Sequence, residues 1–250
     1  MKPKLFFLGL ILLTAVPWNK SQAQDKKEKD YKNTFKYNIT NPIIFGSRSY
    51  IFGFERVINS HQTISVNIGH ASFPSLGIAS SDSLSVTKNT GDKGFHFSAE
   101  YRFYLQKENK YSAPRGVYIA PYYSYNYFQR SNTWNVNKAN FKGNINTDLS
   151  LKAHTVGVEL GYQFIFWKRV ALDLILAGPG IASYHLKAST SSDVQYTGEN
   201  EDIYQHINDA LSNKIPGYSL ILKDTDFEKK GTTSLTSFNF RYLIQLGFRF

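Results

Sequence analysis

The chain has 250 residues, 29 Lys and Arg against 19 Asp and Glu, a formal charge of +10, and no cysteine. The missing cysteines exclude disulfides, thiolate nucleophiles and cysteine metal sites. The basic residues are scattered singly, without the stripe or basic helix that nucleic-acid binding needs, so no nucleic-acid partner is expected. Residues 1–23, MKPKLFFLGLILLTAVPWNKSQA, combine Lys2 and Lys4, an apolar core from Leu5 to Val16 and a small-residue cleavage site at Ser21-Gln22-Ala23. This is the pattern of an export signal, and its core is too short to cross a bilayer as a helix. Removing Lys2, Lys4 and Lys20 with it lowers the formal charge by three, from +10 to +7. No cysteine follows the core to carry a lipoprotein anchor. A charged stretch, DKKEKDYK, then reads as part of a periplasmic tether over residues 24–33, ahead of a barrel domain at 34–250.

From residue 34 onward, side chains alternate with a period of two. The predicted strands are 34–42, 49–58, 63–73, 94–106, 115–129, 151–167, 170–187 and 236–250. With no later apolar run long enough for a helix, a membrane-spanning chain has to be a closed barrel, and an even strand count suits one. The connections alternate in length. Those at 59–62, 107–114 and 168–169 are short, while 41–48 is moderate and 74–93, 130–150 and 188–235 are long. That asymmetry predicts short turns and both termini on the periplasmic side, with the long loops outside. In the last loop, Ile203, Ile207, Ala210 and Leu211 recur at helical spacing, and Pro216-Gly217 follows, which predicts a short helix near 201–213. The fold class expected is therefore all-β: an eight-stranded antiparallel up-and-down transmembrane barrel with a short helix in the last outer loop.

Parity sorts the strand faces. In 95–106, Phe95, Phe97, Tyr101, Phe103 and Leu105 oppose His96, Ser98, Glu100, Arg102, Tyr104 and Gln106. In 238–250, Phe238, Phe240, Tyr242, Ile244, Leu246, Phe248 and Phe250 oppose Asn239, Arg241, Gln245 and Arg249. A soluble barrel would bury the aromatic parity, but eight strands enclose too narrow a core for it. The aromatic side is therefore expected to face lipid. The polar parity then puts Lys36, Glu55, Glu100, Arg102, Glu159, Asp173 and Arg241 inside, where isolated charges are costly and paired ones are expected. Pro121 and Pro179 interrupt strands five and seven. Gly178 and Gly180 around Pro179 predict a bulge or a kink there.

Catalytic signals are weak. His96, Ser98 and Glu100 share a strand face, yet neighbours two apart on a strand stand about 6.5–7 Å apart, beyond a direct hydrogen bond. Their His-x-Ser pattern weakly resembles that of small outer-membrane enzymes that remove acyl chains from lipid A, where the pair faces lipid. His70, His154, His185 and His206 have no metal-ligand spacing. Glu199, Glu201 and Asp202 read as an acidic helix start, a better fit than a calcium loop. No catalytic residue, metal or cofactor is assigned.

The segments KYNITNPIIFGSRSYIFGFERVINSHQTISVNIGH, AEYRFYLQ, PRGVYIAPYYSYNY and GVELGYQFIFWKRVALDLILAGPG together resemble the small eight-stranded outer-membrane barrels of the Bacteroidetes type. The resemblance implies a location in the cell outer membrane of a Gram-negative envelope, with outer-membrane lipids as surroundings. It also implies that the terminal Phe250 is an assembly signal for the barrel-assembly machinery. The expected function is non-enzymatic: structural, or surface binding of an unidentified extracellular ligand or envelope protein through loops 74–93, 130–150 and 188–235. The lumen is expected to be plugged by paired charges. A hydrolase acting on lipid or lipid A, a narrow solute pore and a soluble exported lipid-binding barrel stay open as alternatives.

Overall fold

Alternating side chains give each segment one face that can enter a narrow polar interior and one that cannot, and the sheet closes around that division. The computed structural model describes residues 31–46, 48–72, 84–138, 141–192, 209 and 229–250. These lie in the compact unit Tyr31–Phe250. Among the described residues eight antiparallel strands follow in chain order: β1 (Asn33–Asn38), β2 (Tyr50–Asn59), β3 (Gln62–His70), β4 (Leu84–Tyr104), β5 (Gly116–Lys138), β6 (Phe141–Phe166), β7 (Val170–Ser192) and β8 (Lys229–Arg249). Each pairs with its sequence neighbours, and β1 pairs with β8, so the sheet closes as a barrel without a crossover. The seam continues to the last residue, because Asn33 and Phe250 exchange backbone hydrogen bonds of 3.1 and 2.9 Å.

Three predicted loops differ from expectation. Residues 130–150 are almost wholly strand: β5 and β6 run on to a hairpin whose last pair is Lys138↔Phe141. Residues 84–93 of the predicted 74–93 loop belong to β4, and 188–192 and 229–235 belong to β7 and β8. The reason lies in composition. These stretches carry Asn, Thr and Ser on both faces, so they show no greasy parity. Cross-strand side-chain bonds replace it: Thr133–Asn146 at 2.8 Å and Asn135–Asn144 at 3.3 Å. The remainder of 74–83 and of 188–235 lies outside the described residues. The predicted helix near 201–213 lies there too, except for Asp209, which is helical.

The described helix is elsewhere. Residues Thr40–Phe45 form α1, where strand one was predicted to run on to residue 42. Pro42 cannot donate to a ladder but is tolerated in a first helical turn. Asn38 Oδ1 accepts from the Asn41 backbone N–H at 3.1 Å and helps turn the chain out of the sheet.

The predicted bulge falls in LAGPG. Register shifts by one residue on both sides of β7, between Leu160 and Gly161 of β6 and between Ile175 and Gly178 against β8. Pro121, by contrast, sits in regular register opposite Val158. At the opposite rim the β6–β7 turn places Trp167 and Lys168 at φ 48° and 64°. Tyr31 is stitched to this rim: Arg169 donates to its hydroxyl at 2.9 Å and Arg249 to its carbonyl at 2.6 Å.

Burial is inverted relative to a water-soluble barrel. Lys36, Glu55, Arg102 and Asp173 are completely buried, while Phe238 is 72% and Trp167 82% exposed. Outward aromatics pack against one another, as in Phe35–Phe52 at 5.7 Å and Tyr162–Phe164 at 4.3 Å between ring centres.

Candidate functional site

Every strand sends a polar side chain into the barrel, and the narrow bore forces these to meet. Lys36 of β1 bonds Glu55 of β2 at 2.8 Å and Asp173 of β7 at 2.7 Å. Arg102 of β4 reaches the same Asp173 at 2.7 Å, Glu100 at 2.6 Å and Glu55 at 3.5 Å. Arg241 of β8 bonds Glu100 at 2.7 Å and lies 3.7 Å from Glu159 of β6. All seven charged residues singled out by parity thus lie in one connected cluster. Its four carboxylates face three cations.

Neutral residues complete the cluster. Gln163 of β6 accepts from Lys36 and Arg102, each at 3.1 Å, and donates to Glu55 at 3.0 Å. Thr63 and Tyr104 donate to Glu55 at 2.7 and 3.2 Å, and Tyr118 donates to Asp173 at 2.8 Å. Arg102 also stacks 4.3 Å above the Tyr118 ring. Asn67 donates to Glu100 at 3.1 Å and accepts from Gln245 at 3.1 Å. With so many bonds Lys36, Glu55, Arg102 and Asp173 are satisfied in the manner that burial demands, whereas neither carboxylate oxygen of Glu159 nor Arg241 Nη1 has a hydrogen-bond partner among the described residues.

Sequence reasoning missed Tyr118 and Tyr122 as cluster members. β5 has tyrosines on both faces (Tyr118 and Tyr122 within, Tyr123 and Tyr125 without), so an aromatic there gives no parity signal. The signal that finds them is the Gly-x-Glu-x-Gly stretch of β6. A Cβ at Gly161 would strike the Tyr118 ring, and one at Gly157 the Tyr122 ring. The glycines make room for the two tyrosines on either side of Glu159. Tyr122 then donates at 3.0 Å to the Gly178 carbonyl, which belongs to the bulge in β7.

Above this cluster lies a cavity of about 380 Å³ lined by residues of α1, β4, β5, β6 and β8, among others. Arg241 lies in its floor, and His96 and Asn126 line its side. His96 Nδ1 is 2.7 Å from Asn126 Oδ1. Ser98, the nucleophile of the weak catalytic pattern, instead accepts from Asn67 at 3.1 Å, and no hydrogen bond joins it to His96 among the described residues. On the outer face His154 Nδ1 meets the Tyr123 hydroxyl at 2.9 Å. Among the described residues no group of three or more His, Asp or Glu is placed to hold a metal. Glu199, Glu201, Asp202 and His206 lie outside the described residues.

A family model described as "Protein of unknown function (DUF3575)" matches residues 11–205. Comparison with curated proteins gives no match. Among solved structures the chain is similar to a major outer membrane protein from Thermus thermophilus, at 11% identity and a TM-score of 0.39. That similarity covers 88% of this chain and 100% of the other.

Proposed function

The chain belongs to the DUF3575 family of proteins of unknown function, and from that premise we propose that it is a non-enzymatic barrel of the bacterial outer membrane. One observation carries the reading: the barrel is charged within and aromatic without. Exposing Phe238, Phe240, Tyr242, Ile244, Leu246 and Phe248 in sequence along β8 suits hydrocarbon and is a liability in water. Residues 1–23 are then the signal peptide and 24–33 the periplasmic tether. Phe250 is the signal read by the barrel-assembly machinery, and both termini sit on the periplasmic side with the short turns. The cluster of Lys36, Glu55, Glu100, Arg102, Glu159, Asp173 and Arg241 plugs the bore, so the barrel supports the envelope or presents a surface and does not conduct. The presented surface includes the polar wall formed by the outer ends of β4 to β8, which takes up 84–93, most of 130–150, and the ends 188–192 and 229–235 of the expected loops.

The test is direct. The mature chain should require detergent, migrate differently on gels before and after boiling, and show no sustained conductance in planar bilayers. A monodisperse monomer in detergent-free buffer would overturn the membrane assignment, and steady conductance would overturn the plug.

A further inference from the structure

The wall of the barrel is uneven. β1, β2 and β3 have 6, 10 and 9 residues, whereas β4 to β8 have between 21 and 26. β1 ends opposite β8 at the pair Asn38↔Gln245, and β3 ends opposite β4 at Gly69↔His96. Beyond those pairs, β8 before residue 244 and β4 before residue 96 have a strand partner on one side only, among the described residues. The notch between them begins within the apolar belt, because Phe238, Phe240 and Tyr242 on the β8 edge still point outward. An unpaired edge at that depth is costly. Helix α1 relieves part of the cost: Thr40 Oγ1 accepts from the Ile244 backbone N–H at 2.7 Å. Ile43 and Ile44 of α1 are themselves exposed.

The cavity reaches this notch. Its lining combines inward-facing His96, Asn126 and Ala153 with Ile44 of α1 and the outward-facing Phe240 and Tyr242. A space lined by successive residues 239–243 of the one-sided β8 edge and by Ile44 of α1 opens at that edge. Its volume of about 380 Å³ falls within the roughly 300–1,000 Å³ of small-molecule sites. The chemistry of its lining selects the occupant. Among the described residues Arg241 is the one formally charged side chain lining it; its Nη2 bonds Glu100 at 2.7 Å and its Nε lies 3.7 Å from Glu159, while its Nη1 has no hydrogen-bond partner. The cluster beneath carries one more carboxylate than cations, which disfavours an anionic head. With Asn126 Oδ1 accepting from Nδ1–H, the neutral form of His96 keeps Nε2 as an acceptor for a donor such as a hydroxyl.

We propose that the notch is a lateral door through which the cavity takes one neutral, single-chain amphiphile from the outer leaflet, with its hydroxyl- or amide-bearing head beside His96 and Asn126. The proposal rests on the membrane reading above. It is tested with the chain folded into nanodiscs of zwitterionic lipid doped with equal amounts of a monoacylglycerol and the fatty acid of the same chain length. Released protein is weighed by native mass spectrometry, and each sample is first checked for the heat-dependent gel shift. One monoacylglycerol should remain per barrel, in about tenfold excess over the fatty acid, equivalent to about 1.4 kcal/mol. Ala153→Phe, which fills the cavity, should lower that occupancy by about the same factor; Ser124→Phe is the second cavity-filling variant, should the first not fold. Equal retention by wild type and folded variants would mean that the amphiphile sits on the outer belt, and overturns the cavity site. Preferential retention of the fatty acid overturns the neutral-head assignment. No adduct on a barrel that shows the gel shift overturns the door and leaves the membrane reading standing. A chain that never inserts overturns both.

Discussion

Lys36 illustrates what a single residue does in this bore. Its ammonium is the only cation bonded to Glu55 at under 3 Å among the described residues, and it shares Asp173 with Arg102. Gly53 and Gly247 are its register partners on the two neighbouring strands, and a Cβ at Gly247 would press on its stem. Lys36→Met keeps most of the volume and removes the charge, leaving four carboxylates to two cations. The expected cost is about 3–5 kcal/mol, the range for breaking a buried ion pair by removing one partner. The denaturant midpoint of the folded barrel in detergent measures it, and an unchanged midpoint would show that the cluster does not brace the sheet. Parity along the strands was enough to put the seven charges on one face. Which carboxylate meets which cation was not legible, because partners such as Lys36 and Asp173 are 137 residues apart. They meet only when β1 and β7 take their places around the ring.

At the scale of elements, the sequence marks β2, β3 and the lower parts of β4 to β8 clearly, since each presents bulky apolar residues at every second position. It marks the upper halves poorly. In β6 the segment Asn144–Ser150 alternates small polar groups with Ile145 and Leu149, a pattern that a loop can share. There the strand is held by neighbours on both sides, as with Thr147 between Asn132 and Thr190. Thr147→Pro removes a ladder donor at the middle of this wall. Limited proteolysis should then cut the β5–β6 extension in membranes while the heat-dependent gel shift persists. Loss of the shift as well would mean that wall and barrel fold as one cooperative unit. Helix α1 escaped a strand-based reading for a related reason. NITNPIIF has strand-like composition, and only Pro42 and the Asn38 bond turn it aside.

For the whole molecule, closure is the decisive property. Below the notch the ring has no edge to aggregate, and there the seam runs to the last residue through Asn33 and Phe250. The Phe250 side chain is half exposed and meets Phe54 at 6.5 Å between ring centres. Phe250→Ala keeps the backbone seam and removes only the ring. Membrane insertion in cells should fall strongly, while the unfolding free energy of the refolded barrel changes by no more than about 1 kcal/mol, as for other surface substitutions. Equal loss of both would assign the ring to packing and not to assembly.

The sequence alone determined the strand class, the even count and the division into an aromatic and a polar face. Those follow from local alternation, which depends on residues two apart. The extent of the strands, the pairing of the inner charges, the tyrosines seated over glycines and the notch beside α1 were decided by the tertiary structure. Each depends on register between segments far apart in the chain, and register becomes defined only when the sheet closes on itself.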